Sequence, residues 1–149
     1  MELTENDIAL IRELRTNSRK SIALISRDTK IPVSTIFDRI ARLEGPVIKK
    51  YSALIDFSKI GYGIKVGYMI KGAEQRKDEL RNFLMQNPCT NTIFRINNGF
   101  DFYAEMVFSG LYQMEDFQES LKSEGAVAAE PHCIVSEIKR ECFLSNDYV

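Results

Sequence analysis

Two hydrophobic periods divide the chain. In its first part, apolar residues recur three and four apart, the spacing that gathers them on one face of an α-helix. Ile8, Ile11 and Leu14 form the first such stripe, widened by Leu10. Thr4, with Asp7 three residues on, resembles a capping box with Asp in place of the usual Glu. The polar run Thr16-Asn17-Ser18 ends this helix. Ser21 caps a short second helix that uses Ile22 and Ile25, and Asp28-Thr29-Lys30 is a turn. Pro32 opens a third helix at a position that tolerates its missing N–H. The apolar face of that helix is Val33, Ile36, Phe37, Ile40 and Leu43, and Gly45-Pro46 stops it.

From Val47 onward the pattern changes. Val47, Ile48, Tyr51, Ala53 and Ile55 predict an extended link, with a boundary at Gly61-Tyr62-Gly63. Ile64, Val66, Tyr68 and Ile70 alternate with Lys65, Gly67, Met69 and Lys71, as in a strand. Glu74 to Gln86 is helical, with Leu80, Phe83 and Leu84 on one face, and Pro88 stops it. Thr90 to Ile96 and Phe100 to Phe108 are two more strands, and Asn97-Asn98-Gly99 between them is the strongest hairpin signal in the chain. Met114, Phe117 and Leu121 mark another helix, ended at Gly125, and Val127 to about Phe143 predicts a last strand region. Strand, helix, strand, strand, helix, strand is the ferredoxin-like βαββαβ order.

The expected fold is therefore α+β. A three-helix, winged-helix-like helix-turn-helix domain covers residues 1–50, a linking strand and hinge 51–62, and a ferredoxin-like domain 63–149. Both helices of that domain pack on one sheet face. The Phe, Tyr and Met residues of its strands predict a cover for the other face, and a partner subunit is the economical one.

Composition excludes more than it selects. Hydrophobic residues make up 44% and charged residues 28% of the chain, as in an ordinary folded domain. No run of 18 apolar residues occurs, so no transmembrane helix and no membrane partner are expected. The first stretch, MELTENDIALIREL, is acidic and amphipathic rather than signal-like, which predicts a cytoplasmic protein. The three cysteines, Cys89, Cys133 and Cys142, are far apart and form no CxxC pair, and His132 is the single histidine. Neither a metal site nor a disulfide framework is signalled. With no phosphate loop and no Ser/Cys–His pairing at a recognisable spacing, no catalytic residues, no metal and no cofactor are expected, and the chain is not read as an enzyme.

Charge adds direction. The net charge is −1, but residues 1–50 hold ten Lys and Arg against seven acids, a net +3, while the remaining 99 residues carry a net −4. A basic segment within an acidic protein points to an anionic partner. Helix two, a short turn and helix three make a helix-turn-helix candidate, whose second helix would lie in the major groove of double-stranded DNA. Val33, Ser34 and Thr35 occupy its leading end, Asp38, Arg39 and Arg42 continue its polar side, Arg27 and Lys30 flank the turn, and Lys49 and Lys50 follow. Arg39 and Arg42 could reach guanine edges or phosphates, and the two lysines could hold the backbone. The residues alone leave this face open between a DNA-reading surface and a solvated one, and Asp38 weighs mildly against a phosphate-facing surface.

The stretches LTENDIALIRELRTNSRKS, IPVSTIFDRIARLE and VIKKYSALIDFSKIGYG together resemble the Lrp/AsnC family, the leucine-responsive or feast/famine regulators, over nearly the whole chain. The resemblance implies an N-terminal helix-turn-helix domain, a linking strand and a C-terminal ferredoxin-like domain that senses amino acids. It implies a sequence-specific transcriptional regulator acting as a homodimer, or as a tetramer or octamer of dimers. It also places an effector pocket at the turn Asn98-Gly99-Phe100-Asp101, similar to that family's Gly-x-x-Asp turn with the offset shortened by one, so that Asn98, Gly99 and Asp101 become candidate effector residues and Asp101 a partner for an ammonium group. Read by themselves, those residues are a hairpin turn and a surface acid. The chain departs from the family at Lys30 for a turn glycine, Pro32 for a serine cap, Asp38 for a basic residue and Pro46 in the connection after the third helix. Ala128 and Ala129 stand where relatives carry threonines. An architectural, chromatin-like DNA-binding protein without effector is the competing reading.

Overall fold

Each of the three N-terminal helices begins where the sequence offers a cap or a proline. The computed structural model describes residues 2–145, with α1 at Glu5–Thr16, α2 at Ile22–Thr29 and α3 at Val33–Leu43. The capping box is reciprocal: Thr4 N–H donates to Asp7 Oδ2 at 2.9 Å, and Asp7 N–H donates to Thr4 Oγ1 at 3.3 Å. Ser21 Oγ accepts from Leu24 N–H at 3.3 Å. Helices of 8 to 12 residues are marginal alone. They persist here by burying Leu10, Ile25, Ile31 and Ile36 together, with Leu14, Ile22 and Ile40 packed around them.

The apolar face of α3 is narrower than its sequence pattern. Ile36 and Leu43 are fully buried, but Val33 is 51% and Phe37 65% exposed. At about 100° per residue, Val33 and Phe37 fall on one shoulder of the Ile36–Ile40–Leu43 stripe and Arg39 on the other. After α3, Glu44 and Ile48 meet in one isolated bridge, so no two-stranded wing follows. The linking segment forms no ladder among the described residues either, because a strand needs a neighbour and none of them lies beside it. It runs into a single 3-10 turn, Phe57–Ile60, capped by Asp56.

The second unit, Ile55–Glu137, follows from strict alternation. Its elements are β1 (Ile64–Gly72), α4 (Lys77–Gln86, entered through a 3-10 turn at Glu74–Arg76), β2 (Thr90–Arg95), β3 (Phe102–Phe108), α5 (Leu111–Ser123) and β4 (Ala126–Cys133). The sheet order is β2-β3-β1-β4, and every pairing is antiparallel. Val66, Tyr68 and Ile70 alternate inward with Phe102, Ala104, Met106 and Phe108, and meet Leu80, Leu84, Phe117 and Leu121 of the two helices. Phe117 is the hub, with Tyr68 edge-on at 5.2 Å and Phe108 at 5.6 Å between ring centroids. The opposite sheet face carries Met69, Tyr103 and Phe94 in cross-strand register, and Phe94 stacks on Tyr103 at 6.4 Å. A Cβ on Gly67 would meet the Tyr103 hydroxyl at 2.8 Å, so the tyrosine lies across that glycine.

The last strand is shorter than its apolar run. Ile134 N–H still donates to Lys65 O at 2.9 Å, but β1 begins at Ile64 and offers no partner beyond it. Val135 and Ile138 are accordingly 96% and 95% exposed. Residues 138–145 belong to the helical unit with residues 2–54, and Arg15 there donates to the Glu141 carbonyl at 2.8 Å and its carboxylate at 3.0 Å.

Asp7 is the buried charge of the helical unit, with 1% exposure. The Thr4 N–H, then the Thr4 hydroxyl, lower its pKa, burial opposes them, and the Arg39 guanidinium lowers it further, to about 2 from 3.8. Because the folded value lies below the unfolded one, the contribution is complete above pH 4 and lost as pH falls through about 2. Asp7→Asn is expected to lower unfolding stability at neutral pH by about 2 kcal/mol. In urea titrations followed by helical circular dichroism, the gap to the unsubstituted protein should close between pH 4 and pH 2; a gap independent of pH would show that the charge contributes nothing.

Candidate functional site

The connection between α2 and α3 is fixed by three residues. Lys30 takes the left-handed conformation, φ 61° and ψ 17°, that glycine would adopt without strain, and its N–H donates to Ser26 O at 2.9 Å. Ile31 is buried at 5% exposure and its carbonyl accepts from Ser26 Oγ at 2.6 Å, which pins the turn to the core. Pro32 then enters α3 in extended geometry without any side-chain cap. The first N–H groups of α3, from Val33, Ser34 and Thr35, therefore face outward with no cap, at the end of the helix that favours anions.

The expected DNA-reading residues separate into three groups. Ser34 and Asp38 are exposed and make no hydrogen bond or ion pair among the described residues, and Thr35 is half-buried. Arg27, Lys30, Arg42, Lys49 and Lys50 are exposed cations around the same helix pair. Arg27 leans on Asp28 at 3.1 Å, Lys49 Nζ donates to Gly45 O at 2.6 Å, and Arg42 stands 3.9 Å from Asp7 with 60% of its side chain exposed.

Arg39 forms the third group by itself, because its guanidinium is engaged within the helical unit. Its guanidinium donates to Asp7 Oδ1 at 2.7 Å and to Thr4 Oγ1 at 2.8 Å, and its Nε is buried. A guanidinium held by a buried carboxylate is a structural cation joining α3 to α1. Sequence inspection missed Phe37 as an outward residue. Its position on the shoulder of the stripe was the available signal.

In the second unit, Asn98 and Gly99 form the hairpin turn, both with positive φ, 68° and 97°. The hairpin closes where Ile96 N–H donates to Asp101 O at 3.0 Å. Asp101 is not a free surface acid. Its Oδ2 accepts from Gly72 N–H at 3.0 Å and its Oδ1 pairs with Lys77 Nζ at 2.9 Å. Burial raises its pKa, but Lys77 and the Gly72 N–H outweigh that and hold it below the usual carboxylate range. With both oxygens engaged, it ties the hairpin to β1 and α4.

Beside it lies a groove of about 270 Å³. Met85, Ile93 and Phe102 give it an apolar lining, and Arg81 and Arg95 add two guanidiniums with no hydrogen bond or ion pair among the described residues. Arg95 sits opposite Phe102 on the helix-side face of the sheet, where alternation would put an apolar residue. That break in the pattern was the sequence signal for this groove. Among the described residues, no cluster of three or more His, Cys, Asp or Glu could hold a metal, and no helix is long and apolar enough to cross a membrane.

The chain matches no family model. It is 32% identical over 145 residues to the uncharacterized HTH-type transcriptional regulator PH0140 of Pyrococcus horikoshii, covering 91% of this chain and 88% of that one. It is 26% identical to the HTH-type transcriptional regulator LrpC of Bacillus subtilis, over 93% of this chain and 95% of LrpC. The LrpC structure superposes with a TM-score of 0.85 over 93% of this chain and 99% of its own. The L-Met complex of the transcriptional regulator NMB0573 of Neisseria meningitidis does so with a TM-score of 0.85 at 19% identity, over 93% and 94% of the two chains. A helix-turn-helix unit and a βαββαβ unit in this order are thus shared along almost the full length, and the protein belongs to the Lrp/AsnC family of DNA-binding, helix-turn-helix transcriptional regulators.

Proposed function

We propose that this regulator binds DNA sequence-specifically, assembles at least as a homodimer, and responds to an amino acid or a related metabolite. The observation that carries the first part is the outward face of α3, where Ser34, Phe37 and Asp38 are exposed, Ser34 and Asp38 have no polar partner among the described residues, and the N-terminal amides are uncapped. Two such helices in one assembly would enter successive major grooves about 34 Å apart, or a multiple of that. Arg27, Arg42, Lys49 and Lys50 would hold the phosphates. The open sheet face supports assembly, because Phe94 is 57% exposed there beside Tyr103 and Met69.

The Arg81–Arg95 groove supports effector binding. A planar guanidinium holds a carboxylate through paired hydrogen bonds, and the Met85, Ile93 and Phe102 lining suits an apolar side chain. NMB0573, similar in fold, is seen with L-Met. For such a ligand to act, it must bind one arrangement of the assembly better than another.

Fluorescence anisotropy on the upstream DNA of its own gene, against scrambled DNA across a salt series, tests the first part. Tight, discriminating binding is expected, and Lys50→Ala should weaken both DNAs equally and flatten the salt slope by about 1. Sequence-blind binding with a steep salt slope would favour the architectural reading instead. Light scattering at micromolar concentration should give twice the chain mass or more, and a monomer would remove the sheet-face interface. With pooled amino acids added, Arg81→Ala or Arg95→Ala should abolish the response while leaving effector-free DNA affinity unchanged. A response that survives both substitutions places the effector elsewhere.

A further inference from the structure

The exposed side of α3 consists of two ridges along the helix. Val33, Phe37 and Ala41, each four residues apart, make an apolar ridge; Ser34, Asp38 and Arg42 make a polar one beside it. We infer that this face reads pyrimidines in the major groove: Phe37, with Val33, packs on thymine 5-methyl groups, and the Asp38 carboxylate accepts from a cytosine N4 amine. The inference rests on the proposed sequence-specific binding and adds which bases the helix selects.

The apolar ridge is not leftover core. Ile36 and Leu43 of the same helix are fully buried, whereas Phe37 is 65% and Val33 51% exposed. Such groups have one apolar counterpart in the major groove, the thymine methyl. The helix is placed to meet it, because its flank is ringed by exposed cations while its centre carries none directed outward except Arg42. A protein-docking face of the same size would have no use for that ring of charge.

Asp38 narrows the choice further. It makes no ion pair among the described residues, and its neighbour Arg39 is turned away to Asp7. A carboxylate is repelled by phosphate, so Asp38 is not a backbone contact. Among base edges in the major groove, amino donors are found on cytosine N4 and adenine N6. Adenine sets its amine next to the N7 acceptor, which opposes a carboxylate. Cytosine sets its amine next to a C–H edge, which does not. Phe37 and Asp38 are adjacent in sequence and sit on neighbouring ridges, so the two contacts fall on neighbouring base pairs.

The test uses the full-length protein and duplexes enriched by it from a random pool. The best duplex is remade with deoxyuridine for thymidine, which removes the methyl groups and nothing else, and both are titrated by anisotropy. The uracil duplex should bind about fourfold more weakly for each thymine contacted. Phe37→Ala should shrink the difference between the two duplexes and Phe37→Ala with Val33→Ala should remove it, and a second selection with Asp38→Asn should exchange cytosine for adenine at one position, because a carboxamide pairs with adenine N6 and N7. An enriched sequence whose uracil form binds the unsubstituted protein just as tightly would overturn the inference and leave sequence-specific binding intact. So would a Phe37→Ala protein that changes its mass in light scattering and keeps the thymine preference, which would make the ridge a contact between copies. If the unsubstituted protein enriches no sequence at all, the DNA-reading proposal fails and this inference with it.

Discussion

A buried carboxylate sets the geometry of the helical unit. Leu10, Ile25, Ile31 and Ile36 form its apolar core, but apolar contacts are non-directional and would tolerate several rotations of α3 about its own axis. Asp7 does not. It is ionised at neutral pH in a site with almost no solvent, and leaving such a charge unpaired costs several kcal/mol, on the order of 3–5. The Thr4 N–H and hydroxyl meet part of that demand from within α1's own cap, and the rotation of α3 that brings Arg39 within 2.7 Å supplies the opposite charge. The same rotation turns Ser34, Phe37 and Asp38 outward. What the helix shows to a partner is thus fixed by what it must hide.

The second unit repeats the device with different parts. Asp101 closes the hairpin, caps the end of β1 through Gly72 N–H and anchors the first turn of α4 through Lys77. One acid joins three segments that the sheet alone would leave free to splay. The neighbouring groove is lined by Lys77, Arg81 and Arg95 against Asp78 and Asp101, so its cations outnumber its acids by one. In both units, then, an acid that looks available in the sequence is engaged in holding the fold.

Much of this could be read from the chain because it is local. The Thr4–Asp7 box, the Ser21 cap, the Asn98-Gly99 turn and the change of period near Val47 involve residues within four positions of one another, where geometry is dictated by the backbone. The order of strands and helices followed from the same signals. What the chain did not reveal was non-local. Arg39 looks the same in sequence whether it meets DNA or an acid 32 residues away. Ile134, Val135 and Ile138 have strand character, but a strand also needs a neighbour, and β1 had already ended. Phe37 was placed in the core because periodicity gives the direction of an apolar stripe better than its width. Asp101 was read from a turn pattern that says nothing about Lys77, 24 positions earlier.

The division of labour on α3 bears on how a regulator acquires new targets. Ile36, Ile40 and Leu43 hold the helix to its fold, and Arg39 locks its rotation. Val33, Ser34, Phe37, Asp38 and Ala41 contribute to neither, since exposed positions without partners carry little stability. Substitutions at those positions are therefore close to neutral for folding, and a duplicated copy could drift to a different set of genes without passing through an unfolded intermediate. The constraint lies at position 39: a lineage that recruited that arginine for DNA would first have to rebuild the beginning of α1.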